Sequence, residues 1–170
     1  IKRKVSIMQR VNIKKYDLEF SNSLSNRPAT DFIVVHHTGS GEDIDVGTST
    51  IHQWHLANGW AGIGYHYVIR KDGTIEEGRP HWTIGSHCYG FNGQSIGIHF
   101  SGDFTYAYPT NEQIEAGAML LANICSDYGL PIDRKHIFGH KDFNATGCPG
   151  DNLYNALPTI IGKANWYANN

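Results

Sequence analysis

The sequence predicts an α/β fold, a mixed central β-sheet flanked by helices. Three observations lead there. Phe32-Ile33-Val34-Val35 is a wholly apolar run, as expected of a strand buried on both faces. Lys71-Asp72-Gly73-Thr74 carries the Asp-Gly signal of a hairpin turn, which requires an antiparallel strand pair. Helical and strand patterns mix along the chain without strict alternation, which fits a mixed sheet with helices on its faces. With 170 residues, 40% hydrophobic and 18% charged, the chain is long enough for one domain with a real core.

Taken in order, residues 1–15 carry Lys2, Arg3, Lys4, Arg10, Lys14 and Lys15 and no acid. Val5, Ile7, Val11 and Ile13 alternate as in short strands. This segment reads as a solvated basic arm with a strand packed on the domain's edge, or as an attractant for an anionic polymer. Residues 21–30 read as a loop, so the expected organisation is an arm and loop over 1–30 packed on a main domain over 31–170. After the apolar strand, a polar, acidic loop runs from Gly39 to Gly47. A helix is expected from Thr48, capped by Thr48 or Ser49. Its inward face would hold Ile51, Trp54 and His55, and Gly59 would end it.

Tyr65–Ile69 reads as the next strand, with Thr74–Glu77 returning after the Asp-Gly turn. Ser95–Phe100 reads as another, with Ile96, Ile98 and Phe100 on one side. Thr110 and Gln113 make a capping-box pattern, followed at helical spacing by Ile114, Ala118, Leu121, Cys125 and Tyr128; Gly129 and Pro131 stop that helix. His136–Phe138 is short enough for a small strand. Asp151 is placed to cap a last helix with Leu153, Leu157, Ile160 and Ile161 inward, kinked or restarted at Pro158.

The formal net charge of -2 gives no electrostatic argument for nucleic acid as a partner. No apolar run approaches the ~18 residues of a membrane-spanning helix. The expectation is a monomer without a membrane segment. Cys88, Cys125 and Cys148 are an odd set, which argues against a pure disulfide framework; Cys88 and Cys125 are read as either a pair or two buried thiols.

The chemistry concentrates between Lys135 and Gly150. His140 and Cys148 stand eight positions apart between Gly139 and Pro149, like two metal ligands on one loop. Imidazole and thiolate suit zinc, whose catalytic sites have three protein ligands and an open position. A third ligand is available at the end of the apolar run, in His36-His37-Thr38. Neighbouring strand residues face opposite ways, so only one of the two histidines serves readily. His37 and Cys88 are candidates for closing a structural site instead.

An ordered series is present: His36-His37-Thr38, Gly64-Tyr65-His66-Tyr67-Val68-Ile69, Asp72-Gly73-Thr74, Gly85-Ser86-His87, Asn92, Ser95-Ile96-Gly97-Ile98, Gly139-His140 and Cys148-Pro149-Gly150. It resembles the zinc-dependent N-acetylmuramoyl-L-alanine amidases, the group that takes in phage lysozyme-like amidases and animal peptidoglycan recognition proteins. The likeness covers about residues 31–160. It implies an amidase-like fold and one catalytic zinc on His36, His140 and Cys148. It also implies hydrolysis of the amide between N-acetylmuramic acid and L-alanine in peptidoglycan, with action on the cell wall, outside the cytoplasmic membrane. Tyr65 takes the place of a catalytic tyrosine. Thr146 stands where the phage relatives have lysine and the animal amidases have threonine; it offers a hydroxyl and no positive charge. Arg79, Trp82, His87 and Asn92 lie in stretches that flank the substrate groove in the family, as do Trp60, Tyr89 and Phe91. The rival expectation is a module that binds peptidoglycan without cutting it; the presence of Cys148 speaks for the enzyme.

Overall fold

A computed structural model describes residues 8–170. Val5 and Ile7, with Lys2, Arg3 and Lys4, fall outside the described residues. In chain order the elements are β1 (Ile13–Lys14), β2 (Phe32–His37), α1 (Thr48–Ala57), β3 (Tyr67–Ile69), β4 (Ile75–Glu77), β5 (Ser95–Phe100), α2 (Asn111–Tyr128), β6 (Ile137–Gly139) and α3 (Asp151–Asn169). The strands form one six-stranded sheet in the order β1-β4-β3-β5-β2-β6. β2 pairs in parallel with β5, Phe32 opposite Ser95 through His37 opposite Phe100, and in parallel with β6 on its other side. The hairpin expected at Asp72-Gly73 is the antiparallel β3–β4 pair, and the sheet is mixed.

Side-chain alternation sorts the two faces. Ile33 and Val35 of β2, Tyr67 and Ile69 of β3 and Ile96, Ile98 and Phe100 of β5 pack under α2 and α3, against Leu120, Leu121, Ile124, Leu153, Leu157 and Ile160. Val68, between Tyr67 and Ile69, joins Val46, Ile51 and Ile63 in a smaller cluster beneath α1 on the opposite face. α2 has the capping box read from its sequence, with Gln113 N–H donating to Thr110 Oγ1. It ends on Gly129 at φ 66, a left-handed position that favours glycine. Cys125 lies on its buried stripe, and Cys88 and Cys125 are both free thiols.

Several local expectations need correction. Gly47, not Thr48 or Ser49, occupies the N-cap of α1, and no side chain of its own segment caps the helix. The cap comes from across the fold: Thr48 N–H donates to Oε1 of buried Glu76 at 2.8 Å. A carboxylate there also meets the positive end of the helix dipole. The inward face of α1 is Thr48, Ile51 and His52, while Trp54 is 42% exposed; a large apolar side chain does not by itself mark the buried side of a helix. Tyr65 precedes β3 and is not part of it. Asp151 is the first residue of α3, with Gly150 at the N-cap, and its carboxylate pairs with Lys141 at 2.8 Å. Pro158 lies inside α3 without ending it, at an exposed position.

The basic arm is partly spoken for. Arg10 pairs with Asp127 at 2.7 Å, and Val11 N–H donates to Asn123 Oδ1 while Asn123 Nδ2 donates to Gln9 O. With β1 parallel to β4, the described part of the segment is an edge strand. The loop that follows bridges Asn26 to Thr83.

Glu76 is 1% exposed and serves three partners, Thr48 N–H, the Tyr16 hydroxyl and the Arg70 guanidinium. Glu76→Ala leaves buried donors unmet, which is expected to cost about 3 kcal/mol. Thermal unfolding should show the midpoint falling by roughly 6–12 °C.

Candidate active site

β2, β6 and the loop after β6 bring three donors together. His36 is next to last in β2; His140 follows β6 directly; Cys148 closes the same loop, where Lys141 N–H donates to Cys148 O. One ligand atom from each of His36, His140 and Cys148 lies within 4.8 Å of the others. The rings are held from behind. His36 Nε2 meets His87 Nδ1 at 2.9 Å, and His36 Nδ1 then faces Cys148 Sγ at 3.6 Å. His140 Nε2 meets Asn144 Oδ1 at 2.8 Å, which leaves its Nδ1 uncommitted. Each ring is oriented by one nitrogen and offers the other, the arrangement typical of metal-ligating histidines.

The chemistry of this donor set fits zinc. Two imidazoles and a thiol are borderline-soft donors; magnesium and calcium require oxygen ligands. Burial pushes the Cys148 thiol up to about 12, against a backbone hydrogen bond from His37 that favours the thiolate. Burial and the neighbouring imidazoles of His87 and His140 hold His36 well below the usual histidine range, so it is a neutral ring with a free lone pair. A divalent cation is what turns such a thiol into a thiolate.

The cleft over these donors is lined by Trp60, Tyr65, His87, Asn92, His140 and Thr146, among others, and continues past Thr38, Thr105 and Cys148. The Tyr65 ring stands 5.0 Å from that of His36. Burial raises the Tyr65 phenol above its ordinary range and keeps it a neutral donor. Thr146 Oγ1 accepts from Cys148 N–H at 3.2 Å, so its own proton is available. Asn92 Oδ1 accepts from the N–H groups of both His87 and Cys88, which fixes the loop that delivers His87. Gly97 completes that delivery: a Cβ there would lie 2.6 Å from the His87 ring.

The structure therefore gathers His36, His140, Cys148, Tyr65, Thr146, His87 and Asn92. It does not bring Arg79 or Trp82 to the cleft. Arg79 is buried, its guanidinium donating to the carbonyls of Ile63 and Ile84. Trp82 is 53% exposed and sits edge-on to His81. Phe91 packs on Phe143 and Phe32, beneath the loops. His37 turns to the other face, where Nδ1 accepts from Phe104 N–H at 3.1 Å. Sequence reasoning missed Asn144. Its Oδ1 takes His140, its Nδ2 donates to Tyr89 O, and Cys88 Sγ lies 3.6 Å from Oδ1. Its spacing of four from His140 was the available signal.

A fold of this kind with this cleft belongs to the amidases and peptidoglycan recognition proteins. The structure is similar to N-acetylmuramoyl-L-alanine amidase LysC from Clostridium intestinale, with a TM-score of 0.83 and 34% identity, covering 91% of this chain and 98% of that one. The chain is 34% identical over 134 residues to the endolysin of Klebsiella phage KP32, covering 76% of this chain and 86% of that protein. It is also 34% identical over 144 residues to peptidoglycan-recognition protein SC2 of Drosophila melanogaster, covering 81% and 76%. The N-acetylmuramoyl-L-alanine amidase family model matches residues 25–151, and the chain belongs to that family.

Asn144→Ala releases the ring of His140. Zinc affinity, read by competition with a chromogenic chelator, should fall about ten- to a hundredfold, with little change in the far-UV spectrum.

Proposed function

We propose that this chain is a zinc-dependent peptidoglycan amidase that cuts the bond between the lactyl group of N-acetylmuramic acid and L-alanine. The observation that carries the reading is the convergence of His36, His140 and Cys148 at the floor of an open cleft that Tyr65 and Thr146 also line. Zinc held by that triad supplies Lewis acidity toward the amide carbonyl and toward water. His87 and Asn144 keep the two imidazoles aimed, and Cys148 contributes the anionic donor.

The remaining work falls to hydroxyl groups. Tyr65, half-buried at the cleft and neutral, donates a hydrogen bond to the carbonyl oxygen as negative charge develops there. Thr146 keeps its proton free by accepting from Cys148 N–H. It can steady the substrate carbonyl or the attacking water and supplies no charge. No carboxylate lines the cleft among the described residues, so a Glu or Asp general base is not part of this reading. At the rim, Trp60 and Tyr89 are 42% and 89% exposed and offer flat faces for sugar rings. His87 and Asn92 border the space for the stem peptide. No helix among the described residues is long and apolar enough to cross a membrane. The place of action follows from the substrate, which is the cell wall.

Digestion of purified peptidoglycan with product mass analysis tests the reading. Stem peptides with a free N-terminal alanine should appear, vanish with chelator and return with zinc. Retention of the protein on peptidoglycan without new amino termini, at full zinc occupancy, would point to a binding module instead. Cys148→Ala should abolish turnover. Tyr65→Phe should lower kcat about a hundred- to a thousandfold, the range for loss of one oxyanion donor.

A further inference from the structure

Behind Tyr65 lies a histidine that the proposed chemistry does not use. His99 sits in β5 directly opposite His36 of β2 and Val68 of β3, so its side chain emerges on the same face of the sheet as the candidate metal ligand. It is 1% exposed. Its ring centroid is 4.8 Å from that of Tyr65, with the planes inclined at 37°. His36, at 5.0 Å, and His55, at 5.6 Å, pack on the same phenol ring.

The imidazole of His99 is fixed at one end only. Thr38 Oγ1 accepts from Gly102 N–H at 3.1 Å and lies 3.1 Å from His99 Nε2. The threonine hydroxyl has one proton and a second lone pair left for Nε2, so this contact holds the ring in either tautomer. The other ring nitrogen, Nδ1, is buried and has no hydrogen-bond partner. Burial, with His37 and His55 nearby, pushes the His99 pKa down to about 3, so the ring is neutral. A buried ring nitrogen left unmet is unfavourable for folding. A phenylalanine or leucine would fill the same space with no such penalty. A residue kept against stability is a candidate for a role in the site.

We propose that His99 is a positioning residue for Tyr65: its ring, clamped by Thr38, sets the tilt of the phenol and aims the hydroxyl across the cleft. The reason lies in the geometry of Tyr65. It precedes β3, and its backbone is held by Arg79 N–H donating to Tyr65 O and by His66 N–H donating to Gly97 O, so what the surrounding rings set is the tilt of its side chain. Of those rings, His36 is committed to Cys148 and His87, and His55, in the last turn of α1, accepts from Gly64 N–H. His99 alone is anchored to the loop that follows β2, through Thr38. Movement of a reacting group by about 1 Å can lower a rate a hundredfold.

The inference rests on the amidase reading, and the test separates the two. Zinc-loaded protein is assayed on a soluble muramoyl peptide with four forms: wild type, His99→Phe, Tyr65→Phe and the double variant. Wild-type turnover establishes the reading; an inactive wild type overturns both it and the role of His99. Given turnover, His99→Phe should lower kcat about ten- to a hundredfold, with KM and zinc affinity within twofold and a melting temperature equal to or above wild type. In the Tyr65→Phe background the same change should have no further effect on kcat. A purely structural histidine would instead lose activity in step with stability, and its effect would multiply with that of Tyr65→Phe; either result overturns the proposal. So does a kcat within twofold of wild type. Should His99→Phe fail to fold, Thr38→Val removes the clamp and leaves the ring, and the same cycle with Tyr65→Phe is judged by the same criteria.

Discussion

The site depends on the pairing of β2. This strand is hydrogen-bonded on both sides, to β5 and to β6, so its backbone has no freedom to rotate. A strand's period of two then sends His36 and His37 to opposite faces. His36 turns toward His140 and Cys148 from beneath the cleft. His37 packs on Phe104, 6.1 Å between centroids, with Asp103 4.0 Å from its Nδ1. The same pairing sets His99 beside His36 and leaves Gly97 where the His87 ring must pass. A slip of one residue in register would exchange the two histidines and lose every one of these relations.

The electrostatic character of the cleft floor follows from what shares it. His36, His87 and His99 are buried together, and burial holds each of them below the ordinary histidine range. Asp103, close to His99 in sequence, sits on the other face with His37. The floor is thus a set of neutral nitrogen donors and one thiol. It is suited to receiving a cation and unsuited to carrying a permanent negative charge. Hydroxyl groups, from Tyr65 and Thr146, are the natural proton donors in such surroundings.

Much of this was legible in the sequence because the signals were local. The apolar run at Phe32, the Asp-Gly turn, the alternation at Ser95 and the Thr110–Gln113 box each report on their own segment, and the ordered motifs identify His36, His140 and Cys148. What was not legible depends on contacts between distant segments. The cap of α1 comes from Glu76, 28 positions away. His52 of α1 is buried through its contacts with another segment, accepting from Ile63 N–H and meeting Glu19 O. Arg79 carries a charge that in sequence suggests a carboxylate partner, yet its guanidinium serves two backbone carbonyls. His99 reads as one alternating position of a strand until its neighbours are known.

The sheet has one further property, set by its margins. The outermost strands are the shortest or among the shortest, two residues in β1 and three in β6, and β1 ends on an exposed lysine. An incoming strand from another molecule would find few free backbone groups at either margin, with a charge beside one of them. Edge-to-edge growth into fibrils or insoluble aggregates therefore has little to build on.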